Sequence, residues 1–400
     1  MTGPRDVTDQ PAGSVSDWGS YRLDLTGPDS HVLTIQPGRG DLSLGPADGK
    51  PVDLQIGPDD AIDWSAFDPF ATPAGSPWPR HIVYRGNDAG FFAWARRRPI
   101  ENFSWTPDFA DARDVDAAGS DIHSLFLRLG ELRGSLRLTM PAVYHLSVAG
   151  DLARLRTDGA LPRSLSLLPA LGRATGEPVV VPDLGPLRDV ESVTLSGAPL
   201  GRPISLTSLR QFTRIESLSL HGSFTDWEAL GELDVLRGLE VRFVPNLDGM
   251  PSLDTWPSLE RFIAFNVDEA GGKVLRSQMR ARAKTRPWDD YASVVKLRKP
   301  EWWQQEYGRP FAGWAARRAK IANAAYDAAL ASLAAAEDLG EARAAIVAFV
   351  ERFNSVPGIE TTEREDVGDA VLQLQTHARS IALGVTAEDA LSWFDETRDF

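Results

Sequence analysis

The sequence of 400 residues contains no cysteine, only four methionines and no long apolar run. Without cysteine, disulfides, thiol nucleophiles and cysteine-ligated metal sites are excluded. The apolar runs are shorter than the roughly 18 residues that a membrane-spanning helix needs. The first twenty residues lack the basic start and apolar stretch of a secretory signal. We therefore expect a flexible polar lead and a cytoplasmic protein without a membrane partner.

Local catalytic motifs are also missing. The six histidines show no i, i+2 or i, i+4 pair, which a short zinc motif would require. There is no G-x-S-x-G sequence of the kind that carries a nucleophilic serine. We therefore predict that the chain is not an enzyme and holds no cofactor or metal. Distant residues can still converge in the fold, so a site beside Asp289, Asp290, Arg298 and Glu301 stays open as an alternative.

The charge is unevenly distributed. The net charge is −14, which argues against wholesale binding to nucleic acid or anionic membranes. Residues 273–320, however, carry thirteen basic and four acidic side chains, a local charge of +9. The rest of the chain is therefore at −23 (−14 minus +9).

Cations and aromatic rings alternate between residues 286 and 314. This mixture suits phosphate contacts combined with base stacking, as in single-stranded nucleic-acid sites. It also suits an acidic peptide partner, or a structural cap in which the rings anchor irregular chain and the cations pair with acids. The residues singled out in this basic, aromatic segment are Arg286, Trp288, Lys296, Arg298, Lys299, Trp302 and Trp303.

An apolar ladder with a spacing of three recurs four times in the middle of the chain. Each unit ends in the pattern apolar-x-x-apolar-x-apolar, and the first position of that pattern falls at Val190, Ile215, Leu236 and Leu259. The period is therefore 21 to 25 residues. A period of this size is typical of a solenoid, in which each unit buries its apolar side against its neighbours.

The segments LTSLRQFTRIESLSLHG (206–222) and WEALGELDVLRGLEVRF (227–243) resemble the leucine-rich repeat family, bacterial type. The resemblance covers about residues 121–268. It implies one parallel strand per unit on a concave face and a helix or turn on the convex face. The asparagine that the family usually has after the last strand leucine is replaced here by Ala198, Ser223, Val244 and Val267.

Together these patterns predict an α+β fold class. We expect a leucine-rich-repeat-like solenoid between a β-rich N-terminal region and an α-helical C-terminal module. The predicted parts are a flexible lead (1–20), a β-rich, aromatic-rich region (21–120), the solenoid (121–270) and a basic, aromatic helical module (271–400).

The sequence favours a non-catalytic adaptor or scaffold that binds a protein partner on the concave solenoid face. The alternatives are a nucleic-acid-binding protein that uses residues 273–320, and an enzyme with a site between the solenoid and the helical module. Residues between and beside the strand leucines are the expected partner-binding positions, because alternate side chains of a strand share a face. They are Thr194, Ser219, His221, Glu240, Arg242 and Ile263.

Overall fold

A computed structural model describes residues 3–48, 51–172, 176–311 and 314–400. The chain divides into two compact units, Met1–Lys299 and Pro300–Phe400. The boundary predicted at residue 270 lies inside the first unit.

Within the described ranges the strands and helices are numbered along the chain. The strands are β1 (Arg5–Asp6), β2 (Gly19–Leu23), β3 (His31–Ile35), β4 (Asp41–Gly45), β5 (Leu54–Gln55), β6 (His81–Arg85), β7 (Ile100–Thr106), β8 (Ala112–Asp116), β9 (Ile122–Leu129), β10 (Ser135–Met140), β11 (His145–Gly150), β12 (Leu155–Gly159), β13 (Ser164–Pro169), β14 (Ser192–Ser196), β15 (Ile204–Ser205), β16 (Ser217–His221), β17 (Phe224–Thr225), β18 (Gly238–Val244), β19 (Arg261–Asp268) and β20 (Ala292–Arg298). The α-helices are α1 (Gly90–Ala95), α2 (Glu269–Thr285), α3 (Pro300–Tyr307), α4 (Ala316–Ala335), α5 (Leu339–Glu351), α6 (Thr361–Gln375), α7 (Ala378–Ala382) and α8 (Ala387–Thr397).

Twelve strands form one sheet in the first unit. Their order is β5-β4-β6-β7-β9-β11-β13-β14-β16-β18-β19-β20, and every neighbouring pair is parallel. Strand β4 pairs with both β5 and β6, and from β6 onward each strand pairs with the next strand of this sheet along the chain. The polypeptide therefore leaves the sheet after each strand and returns in the same direction.

This topology contradicts the predicted fold class. A large all-parallel sheet with helices is an α/β arrangement, so the α+β prediction is wrong, and the structure does not show a leucine-rich-repeat solenoid over 121–270. The strands expected in a separate β-rich region include β4 to β7, which belong to the same sheet. Alternation of apolar and polar residues shows that one face of a strand is buried, but it does not indicate whether the partner strand is parallel or antiparallel.

A second layer is built from the connections between the sheet strands. It includes the parallel sheet β8-β10-β12 and four short 3-10 helices at Gly185–Asp189, Leu206–Gln211, Trp227–Glu232 and Leu253–Thr255. Apolar residues of the large sheet and of these connections belong to one buried cluster. Each of the four apolar ladders thus contributes residues to both sides of the core, some from a sheet strand and some from the connection before it.

Aromatic rings fill the core near α1. The buried ring of Trp64 lies with its centroid 5.3 Å from that of Tyr84, 5.8 Å from that of Trp94 and 5.8 Å from that of Phe103. The rings of Phe91 and Phe103 are stacked, with their centroids 3.9 Å apart. Pairs in these geometries add about 0.5–1.5 kcal/mol each beyond the burial of their area. These rings of the predicted aromatic-rich region (21–120) are therefore interior and pack against Tyr84 of β6 and Phe103 of β7.

The second unit is helical. Asp338 is the N-cap of helix α5, and its carboxylate accepts from the N–H of Glu341 at 2.9 Å. Helix α8 is capped by a capping box formed by Thr386 and Asp389. Such caps satisfy backbone N–H groups that have no partner inside the helix. Phe311, with Phe349, belongs to a buried cluster of its own unit. None of the helices in the described ranges has both the length and the apolar stretch that crossing a bilayer requires.

Gly134 provides a test of the close fit between the connecting layer and its neighbours. A Cβ atom added there would meet the carbonyl oxygen of Asp111 at 1.7 Å, whereas one added at Gly130 would meet nothing within 4 Å. We expect Gly134→Ala to lower the free energy of unfolding by at least about 2 kcal/mol, because backbone must move to admit the methyl group. Gly130→Ala is the matched control and should stay within about 0.5 kcal/mol of the parent. Urea unfolding measures both, and equal stability of the two variants would contradict the packing described.

Candidate functional site

One face of the large sheet carries the predicted partner-binding residues. In β14, β16, β18 and β19 the apolar residues that alternate along the strand are buried, and the residues between them point to the opposite face. The parallel register places Thr194 beside Ser219, Ser219 beside Glu240, and Glu240 beside Ile263. These four residues thus form one row across four strands. Ile263 is only 7% exposed, so it offers a partner almost no surface.

His221 and Arg242 lie in the next row of the same face. They are register partners on β16 and β18, and both are partly exposed. The six predicted residues therefore share one face, and five of them reach solvent.

An ion-pair network fixes the polar part of this face. Glu240 accepts from Arg242 Nε at 3.0 Å and from Arg261 Nε at 3.2 Å. Arg261 also donates to Asp290 at 3.1 Å. These hydrogen bonds to Asp290 and Glu240 raise the pKa of Arg261. Because the side chains are partly exposed, the pairs add little to stability, but they hold the two guanidinium groups in place before any partner arrives.

Aromatic rings continue from this network across three strands. The ring of His221 lies 5.1 Å from that of Phe243, which lies 5.8 Å from that of Phe265. His221 Nδ1 is 3.3 Å from the carbonyl oxygen of Gly197. Sequence reasoning missed both phenylalanines. Phe265 carried a signal, since it continues the alternation that begins at Arg261 and Ile263 and so belongs to the same face.

We call this group the face patch. It comprises His221, Glu240, Arg242, Phe243, Arg261 and Phe265.

A row of strained backbone runs beside the face patch. Phe243, Asn266 and Lys296 have φ values of 53°, 50° and 58°. They occupy the same register position on β18, β19 and β20, one residue beyond paired residues. A non-glycine residue in this left-handed region costs on the order of 1 kcal/mol. Three such residues side by side are a distortion that recurs in three neighbouring strands. One of them, Phe243, belongs to the face patch.

Arg298, near the end of the part of the basic, aromatic segment that lies in the first unit, is hydrogen-bonded to one residue of this strained row. Arg298 Nε donates to the side-chain oxygen of Asn266, a buried residue, at 2.7 Å. Lys296 is exposed and forms no ion pair with a described residue. Lys299 is exposed and is the last residue of the first unit.

The beginning of the segment packs on the protein itself. Trp288 stacks on Phe262 at 6.3 Å, and its Nε1 donates to the carbonyl oxygen of Met279 at 3.3 Å. Arg286 is the C-cap residue of helix α2 and follows its last residue, Thr285. Arg282 is 3% exposed, and its guanidinium lies 5.1 Å from the Trp288 ring. These contacts match the structural-cap alternative better than an open nucleic-acid surface.

Trp302 and Trp303 belong to α3 of the second unit. Their rings meet edge to face at 4.8 Å, and the Trp303 ring lies 5.9 Å from that of Tyr307. Trp303 is buried. The basic, aromatic segment predicted as one site is therefore divided between the two units.

Among the described residues, no three His, Cys, Asp or Glu side chains come together in a way that could hold a metal ion. Comparison with protein-family models, curated proteins and solved structures finds no match to this chain.

Substitution of Arg282 tests whether the basic segment has a structural role. It donates to the carbonyl oxygens of Leu253 at 2.8 Å, Trp256 at 3.2 Å and Leu259 at 3.0 Å. We expect Arg282→Met to lower the free energy of unfolding by about 3–5 kcal/mol, because these carbonyl groups lose a charged donor.

The matched control is Arg280→Met, an exposed arginine of the same helix, which should change stability by no more than about 0.5 kcal/mol. Chemical denaturation of both variants provides the measurement. If Arg282→Met is as stable as Arg280→Met, the cap is not what holds α2 to the sheet edge.

Proposed function

We propose that this protein is a non-catalytic cytoplasmic adaptor that binds a protein partner on the face patch. The observation that carries the proposal is the strained row beside it, where three non-glycine residues hold left-handed backbone at one register. Strain of this kind persists only where the surrounding structure imposes it, and it clusters at functional sites. Here it accompanies the placement of the Phe243 ring between His221 and Phe265.

The chemistry of the face patch supports a protein partner. Arginine and aromatic side chains are the residue types that most often dominate binding energy at protein interfaces. Arg242 and Arg261 are already ordered by Glu240, so little side-chain entropy is lost when a partner binds. The polar row of Thr194 and Ser219 beside them offers hydroxyl groups that can serve as a hydrogen-bonding rim.

The basic segment supports nucleic-acid binding less well. Arg276 donates to the carbonyl oxygen of Val294, Arg282 donates to three carbonyl oxygens, and Arg298 is bonded to Asn266. Guanidinium groups held by the protein's own backbone and amides have fewer donors left for phosphate oxygens.

The partner is sought with the immobilised full chain and a nuclease-treated lysate, and its footprint is then mapped by hydrogen exchange. We expect Arg242→Ala and Phe265→Ala each to weaken the captured complex by about 30-fold, since central arginine and aromatic residues contribute about 2 kcal/mol or more. Protection from exchange should appear in β16, β18 and β19.

Arg137→Ala is the matched control for Arg242→Ala. Arg137 is an exposed arginine on β10 that pairs with Asp158 at 3.2 Å, so the substitution removes the same charge and one surface ion pair outside the face patch. It should leave affinity unchanged. A complex that loses equal affinity with Arg137→Ala, or a partner that is captured only when nuclease treatment of the lysate is omitted, would refute the proposal.

A further inference from the structure

A cavity of about 390 Å³ lies in the first unit and shares no lining residue with the face patch. Its buried wall is formed by Phe70, Ala71 and Arg98, and exposed residues such as Gly75 and Arg97 lie at its rim. The volume is in the range of small-molecule sites, which are mostly apolar with a few polar groups.

Arg98 is a buried cation with almost no partners. It is 6% exposed, and its Nη2 atom has no hydrogen-bond partner. Nη1 reaches only the carbonyl oxygen of Pro79, at 3.5 Å, which is at the limit of a hydrogen bond. Its guanidinium carbon lies 4.5 Å from the centre of the Trp94 ring. A buried guanidinium normally satisfies most of its five N–H groups, so this one has donors to spare.

The neighbouring acid does not neutralise Arg98. Asp68 also lines the cavity, but it makes no ion pair with Arg98, and its Oδ1 accepts from Trp94 Nε1 at 2.7 Å. Burial lowers the pKa of Arg98 to about 10, and the charge of Asp68 offsets part of this effect. Arg98 is therefore a cation at neutral pH.

The charges of the lining residues define the ligand class. Arg97 is exposed and lines the cavity with Arg98 and Asp68, so the cavity holds two guanidinium groups against one carboxylate. This net charge of +1 suits a monoanion better than a dianionic phosphate. The ring of Phe70 and the side chains of Ala71 and Pro77 provide an apolar wall.

We propose that this cavity binds a small organic carboxylate, with the carboxylate on Arg98 and Arg97 and the apolar body against Phe70 and Pro77. Guanidinium and carboxylate groups match in geometry and form paired, charge-assisted hydrogen bonds. The ligand would supply the anionic partner that Arg98 lacks within the protein.

The test uses the full chain with benzoate, its neutral isostere benzamide, and inorganic phosphate as probes. Calorimetry and the indole N–H signal of Trp94 in nuclear magnetic resonance spectra, assigned with Trp94→Phe, report binding and its location. We expect benzoate to bind with a dissociation constant of about 1 mM or lower and to shift the Trp94 signal. Benzamide and phosphate should bind at least tenfold more weakly.

Arg98→Met should weaken benzoate binding at least tenfold, and Arg97→Gln, at the exposed rim, should weaken it severalfold while leaving the fold intact. Arg128→Gln is the matched control, because Arg128 is an exposed arginine on β9 outside this cavity. If Arg98→Met does not fold, the Arg97→Gln comparison decides. The proposal is overturned if benzoate does not bind, if benzamide or phosphate binds as well, or if Arg97→Gln and Arg128→Gln bind benzoate equally.

Discussion

One continuous register of parallel main-chain hydrogen bonds governs the first unit, from Asp41 in β4 to Arg298 in β20. Because side chains alternate along every strand, this register decides which residues enter the core and which line the opposite face. A shift of a single residue in one strand would exchange its two faces and turn Leu218 and Leu220 outward. The burial of the apolar ladders and the alignment of Thr194, Ser219 and Glu240 are therefore two results of the same constraint.

The sequence predicted the local elements of this sheet better than its extent or class. The apolar-x-apolar endings correctly placed strands at β14, β16, β18 and β19. Parallel pairing of β4 with β6 was not predictable from the same signal, because the pairing depends on the long connection between them, which includes β5 and the short 3-10 helix Trp64–Phe67. The expectation of an α+β class failed for this reason.

The candidate site also contains residues that the sequence predicted and residues that it did not. Thr194, Ser219 and Glu240 were placed on one face by period-2 alternation alone. Phe243 was missed because its left-handed backbone arises from the register of β18 with its neighbours, and no local turn residue announces it. The burial of Arg282 was missed although a signal existed. It follows Leu275 and Met279 at i, i+4, i+7 spacing, which places it on the packed face of α2.

Arg282 and Arg98 show why burial alone does not reveal what a charged residue does. Both guanidinium groups are nearly inaccessible and both lie over a tryptophan ring. Arg282 gives its donors to three carbonyl oxygens at the end of a connection, so its burial is repaid by the fold itself. Arg98 has one long contact and a nitrogen without a partner. A folded chain retains such a group only if the rest of the structure tolerates its desolvation. Arg282 and Arg98 therefore differ in how many of their N–H donors have a partner. Arg282 uses its donors to stabilise the fold, whereas Arg98 has donors left for a ligand.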